Sequence, residues 1–168
     1  MKLNIFLPII AATVLLSSCG PTTNDAVKFN DQIVTAQKGC VQGEKDFYKS
    51  CDGLNAEEIK ASYQKFSARV DSSLALIQSV KEEKEFASFK DNALKLATAY
   101  RSLMPNEYKE YARIYSIPSE KYTAQDSTKC VEVATKINTA LNPVVNSFIA
   151  EQEAFAKQWN FILTKSGK

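Results

Sequence analysis

Histidine is absent from the whole chain. That excludes Ser-His-Asp and Cys-His nucleophile systems, histidine-ligated zinc or haem, and the Glu-x-x-His signature of di-iron bundles. The four cysteines include no Cys-x-x-Cys pair, which rules out thioredoxin-like redox chemistry and c-type haem attachment. No glycine-rich phosphate loop occurs. Five glycines and five prolines in 168 residues are too few for a turn-rich β fold. A dominant charge is missing as well: 21 basic residues are interspersed with 19 acidic ones, which leaves no footprint for nucleic acid. With no catalytic set, cofactor or metal ligands in view, the sequence predicts a protein that is not an enzyme.

What is present begins at the N-terminus. Lys2 precedes an apolar run from Leu3 to Leu16, about fourteen residues. That length suits the hydrophobic region of a signal peptide, since a membrane span needs roughly 20. The run ends in Leu16-Ser17-Ser18-Cys19, the pattern of a lipobox. Small residues at 17 and 18 fit a peptidase cleft, and the Cys19 thiol carries a diacylglycerol. Cleavage frees the Cys19 amine for a further acyl chain, and several chains give stable anchoring where one is marginal. Gly20, rather than aspartate, follows the cysteine; by the sorting rule of enteric bacteria this points to the outer membrane. The expected organisation is a signal peptide at 1–18, a lipidated cysteine with a polar tether at 19–25, and one domain at 26–168. Removing residues 1–18 leaves 150, and removing Lys2 leaves 20 basic against 19 acidic residues. A domain of that size folds without metal or dense disulfides.

Four amphipathic stretches follow. The first, from about Asp25 to Ser50, carries Val27 and then paired apolar residues every seven: Ile33-Val34, Cys40-Val41, Phe47-Tyr48. Asn55 with Glu58 announces the second as an N-cap arrangement, and Ile59, Tyr63, Phe66, Val70, Leu74, Ile77 and Val80 form its stripe. A charged run, Lys81 to Glu85, separates it from the third, which carries Phe86, Phe89, Ala93, Leu96, Tyr100 and Leu103. Pro105 either kinks that helix or opens a new one, and Pro118 stops it. The fourth opens at Thr123 with Asp126 and runs through Cys130, Ala134, Ile137, Leu141, Val144, Phe148, Phe155, Trp159 and Ile162, with a bend expected at Pro143. Four such segments with short connections predict an all-α, antiparallel up-down four-helix bundle with a kinked, long C-terminal helix.

Three cysteines remain after Cys19. An exported compartment favours oxidation, so one disulfide and one free thiol are expected. Cys40 and Cys51 are eleven residues apart, about 16 Å along one helix. A disulfide needs Cα atoms within about 7 Å, so these two pair only if the helix breaks, with Gly43 as the candidate break. Cys51–Cys130 is the preferred pairing and Cys40–Cys130 the alternative.

Tyrosine is concentrated at Tyr100, Tyr108, Tyr111, Tyr115 and Tyr122. Tyr108, Tyr111 and Tyr115 share a helical face, and a flat apolar ring with a polar tip suits recognition of a partner. The competing reading, favoured on frequency, places them on the bundle seam. Clustered acids at Glu82, Glu83 and Glu85, at Glu107 and Glu110, and at Glu151 and Glu153 sit among lysines and read as solvated charge.

The chain resembles an uncharacterised family of helical bacterial surface lipoproteins, of spirochaete and Bacteroidota type. The likeness lies in Val27-Lys28-Phe29-Asn30-Asp31-Gln32-Ile33-Val34, in Phe148, and in Glu153-Ala154-Phe155-Ala156-Lys157-Gln158-Trp159-Asn160-Phe161. Between these ends it includes Ser88-Phe89-Lys90-Asp91 and Asn106-Glu107-Tyr108-Lys109-Glu110. The resemblance implies a lipid-anchored helical protein of the surface or periplasm; it implies no activity and no site residues. Two roles are expected from the whole: binding of a protein or envelope polymer, or carriage or sensing of an apolar ligand inside the bundle.

Overall fold

The computed structural model describes residues 20–53 and 55–163; the expected signal peptide and Cys19 lie outside the described residues. Those described are helical, and no strand occurs among them. The helices are α1 (Thr23–Asp52), α2 (Ala56–Ser79), α3 (Ala87–Leu103), α4 (Lys109–Tyr115) and α5 (Ala124–Gln158). None of the described helices is long and apolar enough to cross a membrane.

Local chemistry sets the helix ends. Thr22 caps α1 through a reciprocal box: its hydroxyl accepts from the Asp25 N–H, and its own N–H donates to Asp25 Oδ2 at 2.9 Å. Such caps contribute about 1 kcal/mol. The helix therefore starts inside the stretch expected to be tether, and Asp25 belongs to its first turn. Asn55 caps α2 by accepting from the Glu58 N–H at 3.0 Å, and Thr123 with Asp126 forms a complete box at the start of α5.

Between α3 and α4 the chain does not break at Pro105. Residues Met104–Tyr108 form one π turn. Proline has no N–H to donate back along the helix, and a widened turn absorbs the missing bond. The Tyr63 hydroxyl donates to the Met104 carbonyl at 2.9 Å, and the turn carries Tyr108 into the core. The α5 helix continues from Ala124 to Gln158 with Pro143 inside it.

The C-terminus of α5 closes as a Schellman turn. Asn160 adopts a left-handed φ of 55°, the Phe161 N–H donates to the Ala156 carbonyl at 3.0 Å, and the Asn160 N–H donates to Lys157 at 3.3 Å. The apolar contact that accompanies this motif is Phe161 on Phe155, with centroids 6.0 Å apart. Trp159 meets Phe86 edge-on at 5.2 Å and buries its Nε1 without a partner.

Packing brings the helices together pairwise. Gly39 faces Arg69 and Ser73 while Gly43 faces Phe66, so α1 and α2 run antiparallel. Phe86, at the start of α3, meets Phe155 at 5.4 Å and Trp159 at 5.2 Å. Phe89 stacks on Phe155 and Phe148, and Asn92 further along accepts from Ser147 at 2.8 Å, so α3 and α5 also run antiparallel. The Asp46–Arg69 and Asp71–Arg101 ion pairs tie α2 to its neighbours, each contributing little at the surface.

Gly43 does not break α1; it lets α2 approach. A Cβ added there would stand 2.6 Å from the Phe66 ring, and that ring is fully buried. Gly43→Ala gains up to about 1 kcal/mol of helix propensity but displaces a packed ring, which costs about 1–3 kcal/mol. The expected outcome is a net loss in urea unfolding. At Gly53, where the nearest atom to an added Cβ is 3.4 Å away, alanine should cost little; equal effects at both positions would refute the close approach.

Candidate functional site

The buried seam of α1 carries Ile33, Cys40 and Phe47, as hydrophobicity outlines, and polar residues besides. Val41 is 48 % exposed, although it completes one of the apolar pairs. The inner face instead alternates apolar residues with Asn30, Gln37 and Glu44, seven residues apart. Asn30 and Gln37 are buried, and Glu44 is half-buried. Asn30 accepts from Gln152 of α5 at 2.9 Å.

Glu44 is the centre of the most organised polar cluster. Tyr100 donates to Glu44 Oε2 at 2.8 Å, and Tyr108 donates to Glu44 Oε1. Around this carboxylate stand aromatic rings from four elements, α1, α2, α3 and the π turn. Phe66 meets Tyr108 edge-on at 5.0 Å and Tyr100 at 6.2 Å, and Phe47 touches Tyr108 at 6.0 Å. Burial, and then the Glu44 charge, raises the phenols of Tyr48, Tyr100 and Tyr108 well above their ordinary range. All three are held as neutral hydroxyls. Both carboxylate oxygens are engaged by phenol donors, so the cluster works as an internal polar clasp between α1, α3 and the π turn.

The three tyrosines expected to share a face part company. Tyr108 has no exposed surface, and so it contributes to the clasp instead of an outer patch. Tyr111 and Tyr115 are half-buried and stack at 4.6 Å with 20° between planes. Tyr111 also packs on Tyr48 at 5.3 Å, which seats the pair against the end of α1. Among the acids, Glu110 is bound by Arg113 at 2.8 and 2.9 Å, and Glu82 pairs with Lys90 at 3.4 Å. Among the described residues no three cysteine or acidic side chains gather as a metal site.

Cys40, Cys51 and Cys130 are all free thiols, so neither expected pairing is formed. Because α1 runs unbroken from Thr23 to Asp52, Cys40 stays about 16 Å from Cys51, buried beside Ser73 of α2. Cys51 and Cys130 do share one end of the molecule, close enough for charge on Cys130 to act on Cys51. There Cys130 lies beside Tyr115. Burial pushes Cys40 up to about 11; burial, then Asp52, pushes Cys51 up to about 12. Since the thiolate is the reactive form, a maleimide added to the reduced native protein should modify the half-buried Cys130 first. Cys40 and Cys51 should react only on unfolding. Native labelling of Cys40 as fast as Cys130 would contradict its core position.

Sequence reasoning missed Glu44 because a charged residue scores against a core. The signal that could have found it is the seven-residue recurrence of Asn30, Gln37 and Glu44 in register with Cys51. No protein-family model, no curated protein and no solved structure matches this chain.

Proposed function

We propose that this chain is a lipid-anchored envelope protein, held at the outer membrane through acylated Cys19. Its role is non-enzymatic: binding of another protein or an envelope polymer, or a structural part in the envelope. The observation that carries this reading is Leu16-Ser17-Ser18-Cys19 placed directly behind Lys2 and the apolar run Leu3 to Leu16. The start of α1 four residues after Cys19 supports it, because an anchored domain needs little chain between lipid and fold. The same reading covers the likeness to helical surface lipoproteins.

Within this proposal the domain is an antiparallel up-down four-helix bundle whose last helix bends at Pro143. The antiparallel pairs α1 with α2 and α3 with α5 support that arrangement, as does the reach from Tyr63 of α2 to Met104 at the far end of α3. A carrier of apolar ligands needs room inside the bundle. The ring-on-ring contacts among Phe47, Phe66 and Tyr108 favour the binding or structural reading over it.

The test is Cys19→Ala in a Gram-negative host fed radiolabelled palmitate. The wild type is expected to incorporate label and fractionate with membranes, and the variant to do neither. Equal labelling of both would end the proposal.

A further inference from the structure

We propose that the end of the domain bearing Trp159 and Ile162 lies directly against the bilayer that holds the Cys19 lipid. This rests on the lipid-anchor reading and adds an orientation and a second contact to it.

Chain length fixes which end of the domain meets the lipid. Thr22 is already the cap of α1, locked to Asp25 by both its N–H and its hydroxyl. Only Gly20 and Pro21 separate it from Cys19. Three Cα-to-Cα steps reach at most about 11 Å, and Pro21 further restricts the path by fixing its own φ. A domain on so short a leash cannot turn its other end to the lipid. Whatever surrounds the start of α1 faces the headgroups.

Aromatic side chains surround that start. Gly20 and Pro21 line one recess with Phe29, Lys81 and Phe86. Phe29 meets Phe86 at 4.9 Å, and Phe86 meets Trp159 at 5.2 Å. The C-terminus of α5 is therefore at the anchored end. There the left-handed Asn160 folds Phe161 back onto Phe155, and Ile162 follows with 91 % of its surface exposed, the most of any large apolar residue described. Next comes Val131 at 64 %, beyond the first turn of α5 and so towards the opposite end.

Charge at this end is mixed. The neighbouring connection, Lys81-Glu82-Glu83-Lys84-Glu85, holds two lysines and three acids, all exposed. It gives no attraction to anionic lipid, so the contact is apolar and depends on the tether. One isoleucine binds a bilayer only weakly; a covalent leash turns that weak contact into an intramolecular one at high effective concentration. Trp159, three residues before it, packs on Phe86 with its Nε1 buried, so Ile162 makes the contact and Trp159 reports it.

Trp159 is the one tryptophan in the chain, so its fluorescence reports this site alone. The mature, lipidated protein is reconstituted into phosphatidylcholine vesicles carrying a quencher either at the headgroup level or deep in the acyl chain. Intact mass and vesicle flotation are recorded on the same sample. The expected result is a loss of Trp159 emission with the shallow quencher and a smaller loss with the deep one. Inserting a flexible Gly/Ser spacer of about 20 residues after Gly20, with an end-to-end distance of about 25 Å, should restore the emission. Protein that carries the lipid and floats with the vesicles but shows no quenching would overturn the inference and leave the anchor reading standing. Quenching unaltered by the spacer would overturn the leash argument. An unmodified Cys19 in the mass spectrum would remove the anchor reading, and this inference with it.

Discussion

Raising the pH above about 10 is expected to unfold the protein in step with the ionisation of Tyr100 and Tyr108. Both phenols are buried, with 2 % and 0 % exposure. Burial, then Glu44, raises them above the ordinary value of 10.0. In the unfolded chain they ionise near that ordinary value, so above it the folded state holds more protons than the unfolded one. Stability is then full below pH 10 and falls as pH rises. Each suppressed phenol removes about 1.4 kcal/mol per pH unit, so the pair removes about 2.7 kcal/mol per unit. Against a total stability of about 5–15 kcal/mol, this drives unfolding within a few pH units. Helical circular dichroism and tyrosinate absorbance should change together for these residues. Tyr100→Phe should reduce the slope by about 1.4 kcal/mol per pH unit, even though it also weakens the fold at neutral pH by leaving Glu44 Oε2 without its donor. Smooth ionisation of all seven tyrosines around pH 10, with the helices intact, would contradict the clasp.

Phe47→Ala is expected to cost about 3–5 kcal/mol, near the top of the range for a single core truncation. The ring has no exposed surface and touches five others. It meets Tyr48 at 5.7 Å, Phe66 at 5.9 Å, Tyr108 and Tyr111 at 6.0 Å, and Tyr63 at 6.4 Å. Those neighbours belong to α1, α2, the π turn and α4, so no single element can move in to fill the void. In a protein of ordinary stability the variant sits close to unfolding at room temperature. Phe47→Leu, which keeps most of the volume, should lose less than half as much. Urea midpoints at unchanged slope measure both. A loss below about 1 kcal/mol for the alanine variant would show that the ring is not a hub of the core.

The all-helical character of the chain was legible in its residues because period and caps agree. Asn55 and Thr123 start the helices that their box partners announce, and the stripes of α2 and α3 bury Ile59, Phe66, Val70, Phe89 and Leu96 as spaced. The start of α1 was readable in principle, since Thr22 and Asp25 are another Thr-x-x-Asp box; the surrounding Gly-Pro-Thr-Thr-Asn composition resembles a tether and concealed it. The inner face of α1 was legible in part, since Ile33, Cys40 and Phe47 are buried as spaced. Hydropathy places Val41 inside and Glu44 outside, whereas the fold does the reverse. Glu44 is satisfied by hydroxyls 56 and 64 residues away in sequence, and no local pattern announces such partners. Gly43 shows the same limit. A glycine in a helix lowers its propensity, and only the approach of Phe66 shows what the missing side chain permits. Tyr108, expected either on a recognition face or on the seam, is buried as the last residue of the π turn that contains Pro105.

The central claim is that Cys19 is the first residue of the mature protein and carries its lipid. The most direct measurement is the intact mass of the full-length gene product, recovered from the membrane fraction of a Gram-negative host, with fragmentation to locate the modification. The account predicts a mature chain that begins at Cys19, heavier by a diacylglyceryl group and an amide-linked acyl chain, both on Cys19. A chain that retains Met1, or one cut elsewhere with an unmodified Cys19, would contradict it.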